Sequence, residues 1–228
     1  MRASPDLPEN LKSSILTMMW IWMSDWTNIE IADFMAEVLT DAAPGELVSR
    51  IVLERLPFKF ESKEQYFHWR HMLAEGLQVD PRDVLLVGSA ATGRSLSARK
   101  RFQVFSSRSD VDIAVISTSY FDRAWQWFRT ANTTILKFDE EQRRLFNRHR
   151  EGYIFDGVIA ANVFLSYLPF GHEWNRELQR SEQYLPLGLQ GRVLSVRIYR
   201  DGEALRRAQL EALLSYQRYL RVKRDNSP

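Results

Sequence analysis

Apolar positions recur at helical spacing through the first forty residues: Leu11, Ile15, Met18, Met19 and Trp22, then Ile29, Ile31, Phe34, Met35, Val38 and Leu39. This period predicts a helical leader from about Leu7 to Thr40. Its tryptophans, Trp20, Trp22 and Trp26, read as a packing stripe or as a binding platform. Pro44-Gly45 marks a turn, Glu46 to Leu56 resumes as a short helix, and Pro57 to Phe60 is a connector. Ser62 is placed as the N-cap of a further helix that runs through Phe67, Trp69 and Leu73 to about Gly76.

Beyond residue 80 the period changes. Asp83 to Val87 is a short apolar strand that ends at Gly88-Ser89, and a polar, basic stretch follows to Ser109. Asp110 to Ile116 is a second strand, Tyr120 to Arg129 an amphipathic aromatic helix, and Asp139 to His149 another helix. Gly152 to Pro169 is apolar and fits helix or strand equally. Gly191 to Tyr199 reads as a strand, and Glu203 to Val222 as a strongly periodic closing helix. The pattern divides the chain into a helical leader, 1–78, and an α/β domain, 79–228.

Composition narrows the chemistry. A 228-residue chain with 45% hydrophobic and 26% charged residues can bury a core without staples. The absence of cysteine removes disulfides, thiolate nucleophiles and zinc ribbons. A net charge of +2 makes the whole molecule no polycation. The apolar run Ile15 to Met23 is about half the length of a bilayer span, and the first residues lack a signal-peptide core. A cytoplasmic protein without membrane partners is expected.

Candidate chemistry sits on the two strands. Asp110 and Asp112 are two apart, so both carboxylates project from one face while Val111, Ile113 and Val115 point into a core. Neighbouring carboxylates repel unless a cation lies between them, and hard oxygen ligands suit Mg²⁺ (or Mn²⁺) bridged to substrate phosphates. Gly88 lets backbone N–H groups approach phosphate oxygens, and Ser89 adds a hydroxyl. A phosphate grip followed by a metal grip, in this order and on strand ends, points to a nucleotide–metal site.

Leu85 to Gly93, followed by Ser109-Asp110-Val111-Asp112-Ile113-Ala114-Val115, resembles the signature of the nucleotidyltransferase superfamily. That superfamily includes DNA polymerase beta, antibiotic nucleotidyltransferases and bacterial synthases of cyclic nucleotide messengers. A narrower resemblance, to small stand-alone bacterial proteins of phage-defence or toxin systems, includes Trp69-Arg70, Tyr120-Phe121 with Trp125, and Arg197 to Asp201. The resemblance spans roughly Phe58 to Tyr219. It implies a mixed sheet with helices packed on one side, the site on the open face. It also implies a two-metal displacement at an α-phosphate. Asp110 and Asp112 would hold the ions, and Gly88 and Ser89 the β- and γ-phosphates, with Arg94 and Arg197 as further nucleotide-binding candidates. A nucleoside monophosphate would pass from an NTP or dNTP to an acceptor hydroxyl on a nucleotide, nucleic acid or protein, and pyrophosphate would leave. A protein partner or a homo-oligomer is also compatible with it.

Two departures from that family stand out. The loop between Ser89 and Asp110 is long and carries Arg94, Arg99, Lys100, Arg101 and Arg108. It is either a solvated loop or a basic lip for polyanions. Where the family carries a third carboxylate the chain reads Val196-Arg197-Ile198. Asp201 lies about 13 Å further along an extended chain at ~3.3 Å per residue; Asp156 and Glu203 are the other candidates. Either a displaced acid serves, or the protein binds nucleotide without turnover, a non-catalytic module. Arg197 would then contact phosphate, or pair with Asp110 or Asp112 in place of a metal.

Weaker signals are read as structural. Gly88 to Ser95 is one residue from a P-loop, but arginine stands at the lysine position and Leu96 to Phe105 is too basic for the buried helix that motif requires. His68 and His71 form a surface pair without a third ligand, His149 and His172 are isolated, and Asn132-Thr133-Thr134 is an unused glycosylation sequon.

Overall fold

The computed structural model describes residues 38–39, 42–132 and 135–225. The leader helix and Trp20, Trp22 and Trp26 therefore lie outside the described residues, apart from Val38 and Leu39 at the leader's end.

Four strands, β1 (Val84–Val87), β2 (Val111–Ile116), β3 (Val158–Ala160) and β4 (Leu194–Tyr199), form one open sheet in the order β1-β2-β4-β3. The sheet is mixed: β2 and β4 run parallel in the middle, and β1 and β3 are antiparallel edges. Among the described residues the α-helices are α1 (Pro44–Leu47), α2 (Lys63–Leu77), α3 (Ser89–Thr92), α4 (Thr118–Thr130), α5 (Glu140–Arg148), α6 (Gly171–Ser181) and α7 (Gly202–Asp225). The architecture is α+β.

Strand alternation sorts the residues between two faces. Val111, Ile113 and Val115 of β2 and Val196 and Ile198 of β4 join Trp69 and Leu73 of α2, Phe121 and Phe128 of α4 and Trp174 of α6 in the main core. Fully burying one such side chain as Ile113 contributes about 1.5–3 kcal/mol. Helix α2, grouped with the leader in the sequence reading, thus shares its core with the sheet.

The opposite face is not left open, which corrects the expectation of helices on one side only. Ala204 and Leu205 of α7 pack on Val87, Ala114, Val158 and Tyr199. Further along, Leu213, Tyr216 and Leu220 of α7 bury against Val48, Ile51, Leu96 and Phe102. A 24-residue helix spans about 36 Å at 1.5 Å per residue, long enough to serve both the sheet and this second cluster.

Local signals place several ends. The Ser62 hydroxyl accepts from the Gln65 N–H at 3.1 Å, as its predicted capping role requires. Asp139 and Gln142 form a reciprocal capping box that starts α5. The Glu46–Leu56 helix is realised as α1 followed by a π-turn over Val48–Leu53. The ambiguous stretch 152–169 becomes a turn, β3 and a 3₁₀ turn, Leu165–Tyr167. Helix α6 was not anticipated.

Candidate functional site

The register of β1 on β2 brings the two motifs together. Val87 pairs with Asp112, so the chain leaves β1 beside the second carboxylate. Gly88 then turns at φ +67°, ψ −152°, a backbone region essentially restricted to glycine. Its Cα lies against Asp112: an added Cβ would stand 2.6 Å from Oδ2 and 3.3 Å from Cγ. Ser89, buried, opens the single turn of α3.

Asp110 immediately precedes β2 and shares the parity of Asp112. Burial pushes the Asp112 carboxyl above the ordinary carboxylate range; the charges of Arg197 and Lys100 pull it back, and Asp110 pushes the same way as burial. Lys100 Nζ approaches Asp110 Oδ2 at 3.9 Å with both side chains roughly half exposed. Such an exposed pair contributes only about 0–1 kcal/mol, so it marks charge placement rather than stability.

The basic stretch between the motifs is a folded unit. Gly93 to Phe105 forms a small hairpin, with an Arg94–Val104 bridge, Ser95 N–H donating to Gln103 O at 2.8 Å and Phe105 N–H to Gly93 O at 2.9 Å. Phe102 stacks on Tyr219 of α7 and anchors the hairpin to that helix. Arg99 and Lys100 lie on the 3₁₀ turn Ala98–Lys100 at its tip. Gly93 is followed by this hairpin and not by a helix, so the P-loop reading fails structurally.

Arg94, a nucleotide-binding candidate in the sequence, is engaged within the hairpin. Its Nη1 donates to the Phe102 carbonyl at 2.8 Å, inside the hairpin, and it lines neither recess at the carboxylates. Arg197 is retained: it is exposed, shares the sheet face of Asp112 and lines the same pocket.

The third-acid candidates are not brought to this place. Asp201 accepts from Ala204 N–H at 2.8 Å and caps α7. Glu203 pairs with Arg207 at 3.2 Å. Asp156 is exposed in the turn before β3, whose Val158 pairs with Tyr199 at the far end of β4. From Ser195, opposite Asp112, to Tyr199 is about 13 Å at ~3.3 Å per residue, and both aspartates lie beyond it.

The register also identifies what does stand opposite Asp112: Ser195, not Arg197, which pairs with Ala114. Ser195 is 4% exposed, and its Oγ accepts from Asn162 Nδ2 at 2.6 Å. The sequence reading missed both. Alternation along β4 put residues 195, 197 and 199 on one face, but the pairing register is a tertiary property.

Two recesses meet at the carboxylates. One, of about 150 Å³, is bounded by Gly88 and Ser89, the hairpin tip, Asp112, Arg197 and Tyr199, and by Ala208, Gln209 and Ala212 of α7. The other, of about 400 Å³, contains Asp110, Arg108, Ser106 and Ser109. Ser89, Ser95 and Lys100 belong to both, forming a shared rim. Among the described residues no cluster of three or more His, Cys, Asp or Glu side chains is arranged to hold a metal ion. Asp110 and Asp112 are the carboxylates that line the two recesses.

His149 is buried, whereas His68, His71 and His172 are exposed. His68 meets the Tyr184 ring edge-on. His149 Nδ1 lies 2.7 Å from Leu145 O and its Nε2 3.2 Å from Ala160 N, and burial lowers its pKa.

Comparison with known proteins gives no match to a family model, a curated protein or a solved structure. No helix among the described residues is long and apolar enough to cross a membrane.

Proposed function

We propose that the chain is a metal-dependent nucleotidyltransferase, moving a nucleoside monophosphate from an NTP or dNTP to an acceptor hydroxyl. The observation that carries this reading is the contact between Gly88 and Asp112: a glycine-only turn, next to a buried serine, lies against one of two same-face carboxylates at the mouth of a pocket rimmed by Arg99, Lys100 and Arg197. Backbone and hydroxyl groups at Gly88-Ser89 and the cationic rim suit a polyphosphate.

Asp110 and Asp112 fit one Mg²⁺ or Mn²⁺, because such ions are commonly held by one or two carboxylates together with substrate phosphates. The raised pKa of Asp112 indicates a carboxylate that its surroundings leave under-compensated. A divalent cation bound there would neutralise charge developing on the transferred phosphate. Lys100 and Arg197 would hold the phosphates in place. Ser195 of β4, bonded by Asn162 from the segment after β3, stands opposite Asp112, so acceptor activation would fall to groups other than a third carboxylate. A phage-defence role, and an acceptor that is nucleotide, nucleic acid or a protein partner, belong to the same proposal.

The Ser195–Asn162 pair also favours a second reading, a catalytically inactive module that binds nucleotide or a protein partner. Incubation with each α-³²P-labelled NTP and dNTP and Mg²⁺ or Mn²⁺, with and without cell extract, separates the two. A labelled product that disappears in an Asp110→Asn/Asp112→Asn protein supports transfer. Nucleotide-dependent thermal stabilisation with no product under any condition rejects transfer in favour of the binding module.

A further inference from the structure

We propose that the inner end of the smaller recess is an adenine-reading subsite, with the Gln209 carboxamide as the group that reads the base; this rests on the nucleotide reading above.

Three features of the recess point this way. Its lining is of mixed character: beside the cationic residues stand the apolar Val87, Leu96, Ala208 and Ala212. Ala208 and Ala212 are one turn apart on α7, so two small side chains leave a slot against the helix where larger ones would fill it. Leu96 comes from the hairpin, which Phe102 fastens to the same helix. The slot therefore lies between elements held at a set separation.

Its apolar lining suits a ring, while its cationic rim suits the phosphates. A recess of about 150 Å³, open on one side, has room for a single flat aromatic group. A flat heterocycle fits inside with its sugar toward the mouth. The phosphates then run along Ser89, Ser95 and Lys100 toward the roomier recess that contains Asp110 and Arg108. Base, sugar and phosphates follow one path past the aspartates.

One of the polar groups lining the recess is an amide. Gln209 is only 9% exposed, yet it lines the recess. The Tyr199 ring, 1% exposed, lines the recess beside it. A carboxamide offers one acceptor and two donors, and its characteristic bidentate partner is adenine, through N6–H₂ and N7. Guanine presents two acceptors, O6 and N7, on the corresponding edge, a pattern suited to arginine or lysine. Against Gln209 it would set acceptor facing acceptor in a buried place.

The test is equilibrium binding to the full chain, with Mg²⁺ present, of ATP, GTP, CTP, UTP and inorganic triphosphate, repeated on Gln209→Leu and on the near-isosteric Gln209→Glu. The expected result is an ATP preference of roughly tenfold over GTP, the scale of one bidentate base contact. Both variants should lose that preference while retaining affinity for inorganic triphosphate, which also shows that they fold. Equal binding of all four nucleotides, or an ATP preference that survives in both variants, overturns the subsite but leaves the phosphate-binding reading standing. Failure of every nucleotide and of inorganic triphosphate to bind the wild-type protein overturns both.

Discussion

Replacing Gly88 by alanine tests whether the turn and Asp112 are built as one unit. Gly88 sits at φ +67°, ψ −152°, and holding a non-glycine residue in such a region costs on the order of 1–3 kcal/mol. The new Cβ would also stand 2.6 Å from Asp112 Oδ2. That atom ends a side chain that can rotate, so the overlap converts to a displaced rotamer, about 0.5–1.5 kcal/mol. The sum is roughly 2–4 kcal/mol. For a chain of this length each kcal/mol moves Tm by about 2–4 °C, so the melting temperature should fall by roughly 4–16 °C. Urea titration and thermal melts followed by far-ultraviolet circular dichroism measure the loss. The cycle with Asp112→Ala divides it: the coupling should recover only the rotamer part, because removing the carboxylate does nothing for the backbone. A Gly88→Ala protein that melts within 2 °C of wild type would refute the reasoning. Complete rescue by Asp112→Ala would show that the turn itself carries no strain.

Other consequences follow from the same geometry. Burial raises the pKa of Asp112, so its protonated form is favoured on folding; the associated stability is present below the ordinary carboxylate pKa and lost as pH rises through the raised one. Asp112→Asn should therefore be about 0.5–2 kcal/mol more stable than wild type near neutral pH without added metal, with the gap closing toward pH 4, as thermal melts across that range will measure. His149 behaves oppositely. Its folded pKa lies below its ordinary value, so its contribution is present above about pH 6.5 and lost as pH falls through the lower folded value. Melts from pH 7 to 5 should show this slope, and His149→Gln should lack it. Arg192 bonds the carbonyls of Gly188, Ser106 and Ser109 and lies over the Phe105 ring, tying down the segment that leads into Asp110. Arg192→Ala should cost about 1–2 kcal/mol and speed amide hydrogen exchange at Ser106 to Asp110, read by mass spectrometry, with α2 and α4 unchanged.

The sequence by itself determined the local units and the two motifs. Ser62 and Asp139 start helices because their side chains satisfy nearby N–H groups, a matter of three residues on either side. Val111, Ile113 and Val115 against Asp110 and Asp112 announce a strand with one buried and one chemical face, since side-chain direction alternates whatever the partner. Gly88 is legible too, as the residue that a turn at a strand end calls for. Tertiary structure alone decided the rest. Pairing register cannot be read from one strand, so it took the β2–β4 ladder to put Ser195 opposite Asp112 and to carry Asp156 and Asp201 to the far end of the sheet. The charges of Arg94, Arg99 and Lys100 look alike in sequence. The hairpin's fold turned the first inward to a carbonyl and left the other two at the pocket. Gln209 gave no signal within its helix, because a buried amide acquires meaning only from what lies across the cavity, and here that is a sheet face drawn from segments as distant in the chain as Tyr199 and Val87.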